Sequence, residues 1–306
     1  MRIGIGVDTS GELPVVLDRF RQTEAEGFQA VWIPHIFGYD AITLLALAGS
    51  VTGQIELGTF VVPTYPRHPA AMAQQALTAA VATKGRFTLG IGLSHRVVIE
   101  DMYGLDFSKP VRHMREYLSV LMPLLGQETV RFRGKDYRVT AKLDVPGAGR
   151  PPVIVAALGP QMLRVAGLLA DGTATWMGGT RYLRETAIPT IRAAAAEAGR
   201  PEPRIVAGFP IALTGDEDAA RGSAAKSFEM YGQLPSYRAT LDRGGASGPA
   251  DVAIVGDESS LRRQLRELAE IGVSDFNGSP FRVDGDPDAP QRTRAFLAAL
   301  AREGSA

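Results

Sequence analysis

The chain has 306 residues, no cysteine, and equal numbers of basic (33 Lys+Arg) and acidic (33 Asp+Glu) side chains. The lack of Cys excludes disulfides, thiol catalysis, Cys-ligated zinc and iron–sulfur clusters, and zero net charge gives no electrostatic reason to expect nucleic acid or an anionic membrane as partner. With 45% hydrophobic residues the chain can bury a large core. No apolar run approaches the roughly 20 residues of a membrane span, and the first residues enter a strand at once, so neither a signal peptide nor a membrane anchor is expected and a cytoplasmic location is.

Residues 2–7 read as a strand and 13–26 as a helix, with Leu13, Val16, Leu17 and Phe20 on one face and charges on the other, stopped by Gly27. Residues 30–33 give strand two, and 40–50 a second helix with Asp40 as N-cap. Strand three, 55–62, runs into Pro63-Thr64-Tyr65-Pro66-Arg67-His68-Pro69. That stretch is stiff, because each proline fixes its own φ and restricts the residue before it. An Ala-rich helix over 70–82 returns the chain to strand four, which ends in Gly90-Ile91-Gly92-Leu93-Ser94-His95. A long loop covers 92–110 and an amphipathic helix 111–125. Residues 130–139, centred on Gly134-Lys135-Asp136, read as a hairpin insertion. Strand five is 153–156, Gly159-Pro160 opens the next helix, and strand six is 172–176. An Ala-rich helix over 182–198, strand seven over 204–213 and a helix over 216–230 follow. The stretch 232–248 contains Gly, Pro and Ser and reads as a loop. A helix over 257–271 with Asp257 or Ser259 as cap, a short strand eight over 274–278 and a helix through 292–301 end the chain.

Eight short apolar strands alternating with helices are the pattern of strands covered on both faces. They predict a single (β/α)8 TIM barrel over residues 1–306, with the hairpin inserted after the fourth βα unit. An open dinucleotide-binding sheet would want G-x-G-x-x-G after strand one, where this chain has Val7-Asp8-Thr9-Ser10-Gly11.

In such a barrel the site is built just after each strand. That set contains Asp8; Pro34 and His35; Val61 to Thr64; Gly92 to His95; Ala157 to Pro160; Trp176 to Gly179; Phe209; and Asn277 with Ser279. Histidine exchanges protons near neutral pH, so His35 and His95 suit a proton transfer coupled to a redox step; each could equally bond a backbone carbonyl. Asp8, His35 and His95 have no fixed metal-ligand spacing, and no metal is expected. His113, between Arg112 and Met114 and near Arg115, reads as part of a solvated helix face. Ser94 lies in no G-x-S-x-G elbow, which argues against a serine hydrolase. The turn Ala157-Leu158-Gly159-Pro160 suits a phosphate at a helix N-terminus, with Pro160 at a position that needs no N–H; an ordinary tight turn fits it as well. Trp176 could line a flat cofactor or plug the barrel rim.

The segments Gly27-Phe28-Gln29-Ala30-Val31-Trp32-Ile33-Pro34-His35, Leu57-Gly58-Thr59 through Arg67-His68-Pro69, Gly85-Arg86-Phe87-Thr88-Leu89-Gly90-Ile91-Gly92, Leu169-Ala170-Asp171-Gly172 and Val255-Gly256-Asp257 resemble the luciferase-like monooxygenase superfamily, and within it the coenzyme F420-dependent oxidoreductases. The resemblance covers almost the whole chain. It implies a bacterial-luciferase-like barrel holding F420 or FMN at the carboxyl ends of the strands, with His35 near the ring. It implies a non-proline cis peptide at Phe60–Val61 backing the ring, with Gly92 and Ser94 along the cofactor and Ala157, Leu158, Gly159 and Pro160 at its phosphate. Two departures stand out: Pro34 where many relatives have Asp, and His95 where sugar-phosphate dehydrogenases of the family have an acidic residue. With no obvious basic cluster for a sugar phosphate, that activity is not expected.

The reading is therefore an F420-dependent oxidoreductase that transfers a hydride between the deazaflavin and a small organic substrate of the enone, imine or alcohol class. His35 and His95 are its candidate catalytic groups; Asp8, Phe60, Val61, Gly92, Ser94, Ala157, Leu158, Gly159, Pro160 and Trp176 are its candidate cofactor contacts. The alternative is an FMN-dependent monooxygenase on the same fold, and a third reading is a non-catalytic barrel scaffold. A small-molecule substrate and a homodimer are the expected partners.

Overall fold

The computed structural model describes residues 1–304. In chain order, β1 (Arg2–Ile5) is followed by α1 (Leu13–Ala25), β2 (Ala30–Ile33), α2 (Ala41–Val51), β3 (Glu56–Thr59), β4 (Val62–Pro63), α3 (Pro69–Ala82), β5 (Phe87–Gly92) and α4 (Pro110–Leu125). A hairpin, β6 (Val130–Arg133) and β7 (Arg138–Ala141), precedes β8 (Val153–Ala156), α5 (Pro160–Leu169), β9 (Gly172–Trp176), α6 (Thr180–Tyr182), α7 (Ile188–Glu197) and β10 (Arg204–Leu213). The last third carries α8 (Glu217–Ser227), α9 (Glu229–Gln233), α10 (Pro235–Gly244), α11 (Pro249–Val252), β11 (Ile254–Gly256), α12 (Glu258–Glu270), β12 (Asp275–Pro280) and α13 (Ala289–Glu303).

Parallel pairing runs β1–β2–β3–β5–β8–β9–β10–β12 and back to β1, a closed ring of eight. This is the (β/α)8 barrel the alternation predicts, and the β6–β7 hairpin follows the fourth unit as expected. Four local expectations need correction. Strand three does not run unbroken to residue 62; it stops at Thr59 and pairing resumes at β4. The helix over 216–230 breaks at Phe228. The stretch 232–248 is not a loop throughout, because Thr240 and Leu241 bury one side of α10. The three-residue β11 was not foreseen; it adds to β10 outside the ring.

The alternation of strand side chains sorts the chain into an outer and an inner set. Ile3, Ile5, Val31, Ile33, Leu57, Leu89, Ile91, Val153, Val155, Ile205 and Phe276 face the helices in one continuous core. The inner set is layered. At the amino end lie Arg2, Glu56, Thr88, Arg204 and Asp275. The Arg204 guanidinium donates to both Asp275 oxygens at 2.8 and 2.6 Å and to Glu56 Oε1 at 2.7 Å. Glu56 also accepts from Arg2 Nη1 at 2.6 Å and from Thr88 Oγ1 at 2.7 Å. Above this plug Trp32 fills the lumen with Ala30, Ile154, Ala174 and Val206. The glycines beside it are required: a Cβ at Gly4 would lie 2.9 Å from the Trp32 indole, and one at Gly58 would overlap its ring.

Asp275 is 2% exposed, so removing Arg204 leaves a buried carboxylate with only the Ser274 hydroxyl at 2.8 Å and Arg2 at 3.5 Å. Arg204→Met should lower stability by about 3–5 kcal/mol, seen as a lower urea midpoint in equilibrium unfolding. A change of only a few tenths would mean that the plug carries no such weight.

Candidate functional site

The carboxyl end of the barrel is shaped by the break between β3 and β4. Ladder pairing stops at Gly58–Thr88 and resumes at Val62–Ile91. Between them Thr59 Oγ1 donates to Gly90 O at 2.7 Å and accepts from Gly90 N at 2.8 Å, standing in for the missing backbone bonds. Phe60 and Val61, freed from the ladder, turn over the lumen, and the bond joining them is cis, as the resemblance implies. Phe60 meets Trp32 edge to face at 6.3 Å. A Cβ at Gly208 would lie 2.9 Å from Phe60, and one at Gly92 would lie 2.6 Å from Val61. These glycines let the bulge sit low, and the two side chains form a half-exposed floor.

His35 follows β2 at the start of the loop into α2. Its Nδ1 accepts the backbone N–H of Ala41 at 3.2 Å, in the first turn of α2. A nitrogen that accepts carries no proton, so the neutral ring has its N–H on Nε2. Burial and the Arg67 charge lower the His35 pKa below its usual value, against the pull of Asp40; the positive end of α2 acts in the same sense. Asp40 caps α2 by accepting from Thr43 N at 2.9 Å, ion-pairs with Arg67, and lies 3.7 Å from His35 Nδ1. One carboxylate thus ties the strand-two histidine to the proline-rich loop.

His95 lies beyond Ser94, which holds φ of +61°, a conformation sparse for residues other than glycine and common at functional sites. Burial lowers the His95 pKa. Its ring packs 6.0 Å from Tyr237 of α10. Tyr237 meets Tyr231 of α9 at 5.1 Å, and Tyr231 meets Trp176 at 6.1 Å. The segment 228–244 therefore lays an aromatic cover beside the mouth, a role composition alone did not reveal. Among the described residues no hydrogen bond or ring contact joins His35 to His95.

The other expected contacts divide. Gly159 caps α5 with nothing within 4 Å of where a Cβ would be, so an anion could approach the free N–H groups of that helix start. Ala157, in contrast, is buried and gives its N–H to Ala174 O at 3.3 Å, so its side chain packs in the core. Leu158 uses its carbonyl for the Tyr182 hydroxyl. Asp8 is exposed and accepts Ser10 N and Oγ at 3.0 and 2.7 Å, a local turn. Trp176 Nε1 and Asn277 Oδ1 are buried without partners. Both sit on inward-facing positions level with Gly208. A flat floor, open backbone at Gly159 and unspent polar groups beside it fit a planar ring bearing a phosphate.

His113 needs correction. It is 6% exposed, not on a solvated face. Its Nε2 pairs with Thr64 Oγ1 at 2.9 Å, its ring stacks on Tyr65 at 3.8 Å, and its Nδ1 lies 3.4 Å from the Tyr137 hydroxyl. Thr64 N donates to Gly92 O at 2.9 Å, so His113 braces the loop behind the floor. The hairpin tip bearing Tyr137 is held by Glu116, which accepts from the N–H groups of Lys135, Asp136 and Tyr137. The signal was present in the sequence: His113 is four residues before buried Tyr117.

A family model for luciferase-like monooxygenases matches residues 1–275, and the chain belongs to that family of oxidoreductases. It is 25% identical to 5,10-methylenetetrahydromethanopterin reductase of Methanolobus tindarius over 97% of each chain. It is 29% identical to F420-dependent glucose-6-phosphate dehydrogenase of Kineococcus radiotolerans over 88% of this chain and 82% of that one. The solved structure of coenzyme F420-dependent tetrahydromethanopterin reductase from Methanopyrus kandleri is similar with a TM-score of 0.80, covering 99% of this chain and 97% of that one at 23% identity, a likeness of fold.

Burial drives the His113 pKa down to about 4, against the weaker pull of Asp136 and Glu116. The unfolded chain binds that proton at about 6.5, so between these values the unfolded state holds more protons. Stability should be intact above pH 6.5 and fall by about 3 kcal/mol as pH drops to 4. The share of that slope due to His113 should vanish in His113→Gln, measured by denaturant unfolding across pH. An unchanged slope in that variant would refute the assignment.

Proposed function

We propose that this chain is an F420-dependent oxidoreductase that moves a hydride between the deazaflavin and a small organic substrate. Two kinds of support converge on it: a relative named as an F420-dependent enzyme aligns along 88% of the chain and a second along 49%, and the carboxyl end of the barrel has a floor, an open helix start and histidines that suit such a cofactor. Phe60 and Val61 would carry the ring, Gly92 and Ser94 would flank it, and Gly159 with the α5 start would take the phosphate. Bound there, F420 supplies or accepts a hydride at its central ring carbon.

The observation that carries the division of labour is the Ala41 N–H on His35 Nδ1. It leaves His35 as a hydrogen-bond donor at Nε2, suited to fixing a ring or a substrate oxygen rather than removing a proton. His95, neutral at pH 7 because burial lowers its pKa and bound by no backbone N–H, is the group to take the proton of an alcohol or return it to a carbonyl.

Titration of the purified protein should show F420 binding and no FMN binding at equal concentration; tight FMN with no F420 would reverse the cofactor reading. His35→Ala should keep cofactor affinity within a few-fold and lose roughly 100-fold in turnover; an unchanged rate would end its role.

In the oxidative direction kcat/KM should be flat through neutral pH and decline only on the acid side of the ordinary histidine range, because burial lowers the His95 pKa, with that acid limb absent in His95→Gln. Persistence of the limb in the variant would assign the proton to another group.

A further inference from the structure

Among the described residues eleven large apolar side chains are exposed, and eight of them fall on three segments beside the candidate site: Ile36, Phe37 and Tyr39; Val97, Met102, Tyr103 and Leu105; and Met230. A typical soluble surface scatters such residues singly; a contiguous group next to a cleft marks a binding surface. The first two segments meet through Phe37 and Tyr103, whose rings are 6.3 Å apart. The second also carries His95, which packs on Tyr237, and the third, α9, carries Tyr231, which packs on Trp176. The exposed rim is therefore continuous with the aromatic cover of the site.

The two arginines on the bordering loops are both ion-paired. Arg67 is paired with Asp40 and Arg96 with Glu100, while the Arg96 guanidinium also lies 5.3 Å over the Phe107 ring. Each arginine is therefore countered by a carboxylate, and Arg67 keeps one buried nitrogen, Nη1, without a hydrogen-bond partner. The segment that holds Met102 is a single π-helical turn, Val98–Met102, a rare conformation found mostly at functional sites. Met102 and Tyr103 at its end are exposed, while Ile99 is buried as the anchor.

We infer that the substrate is neutral and carries an extended hydrocarbon part, which lies along the rim between Phe37 and Tyr103 on one side and Tyr237 on the other, with its reacting carbonyl or carbinol carbon inward by His95. This rests on the reading of the site as a hydride-transfer centre and assigns the specificity of that site to Phe37 and Tyr103. The rim recognises length and apolarity, and the inner polar groups recognise one oxygen.

The test uses the full-length protein, with and without F420, and the probes 2-butanone, 2-hexanone and 2-octanone, with glucose 6-phosphate as the charged arm. Binding is read from tryptophan fluorescence, since Trp176 is half-exposed at the mouth. Affinity should rise about fourfold for each added methylene, the factor that burial of one CH2 gives, and glucose 6-phosphate should bind more weakly than any of the ketones. Phe37→Ser and Tyr103→Ser should flatten the series, weakening 2-octanone tens-fold and 2-butanone far less. A series flat in the unaltered protein, or tighter binding of glucose 6-phosphate, overturns the inference. So does a shift of both variants from dimer to monomer in solution with the series unchanged, which would assign the rim to a second copy of the chain. Failure to bind F420 strikes the cofactor reading alone, because the ketone series is read from Trp176 without it.

Discussion

Arg204 closes this barrel from the inside. It stands on β10, yet its guanidinium spans the lumen to Glu56 on β3 while gripping Asp275 on β12, and Arg2 on β1 completes the circuit to Glu56. Charges in so dry a place are costly unless every one is matched. Here each carboxylate is shared between partners on different strands. The matching links charge to register: one guanidinium reaches both Asp275 and Glu56 in the registers Val206–Asp275, Arg2–Asp275 and Ala30–Glu56. Trp32 then rests on the plug, 5.3 Å from the Arg204 guanidinium, and needs Gly4 and Gly58 to fit.

That order decides which end of the barrel can do chemistry. Its amino end carries the ion pairs of Arg2, Glu56, Arg204 and Asp275. The middle is filled by an indole. Only above Trp32 does the interior thin out into Gly90, Gly92 and Gly208, and there the chain departs from regular strand geometry at Phe60–Val61, Ser94 and Met177. The asymmetry comes from which residues occupy the inward positions of otherwise similar strands. A function tied to the carboxyl end is thus a consequence of packing below it.

The barrel was legible because parallel strands buried on both faces leave short apolar runs that few other structures explain. Elements whose stability comes from tertiary contact were not. Helix α10 has a loop-like composition and persists because Leu241 and Thr240 are buried and Tyr237 packs on His95. β11 is three residues long and owes its form to the exposed edge of β10. His113 was misplaced for a related reason. Its neighbours Arg112 and Arg115 are exposed while Met114 and Tyr117 are buried, so charge beside it in sequence concealed the face it belongs to.

The two site histidines show what a sequence leaves undivided. Both follow strands, both could exchange a proton, and residue type cannot rank them. One backbone N–H does. With Ala41 donating to His35 Nδ1, the His35 ring is committed to a single tautomer, whereas His95 keeps both nitrogens available beside Tyr237. A carboxylate reaches the same histidine from the helix cap: Asp40 caps α2, pairs with Arg67 and lies 3.7 Å from His35 Nδ1. Asp40 raises the His35 pKa while burial and Arg67 lower it further, so the carboxylate stabilises the loop and only partly offsets the forces that keep His35 neutral.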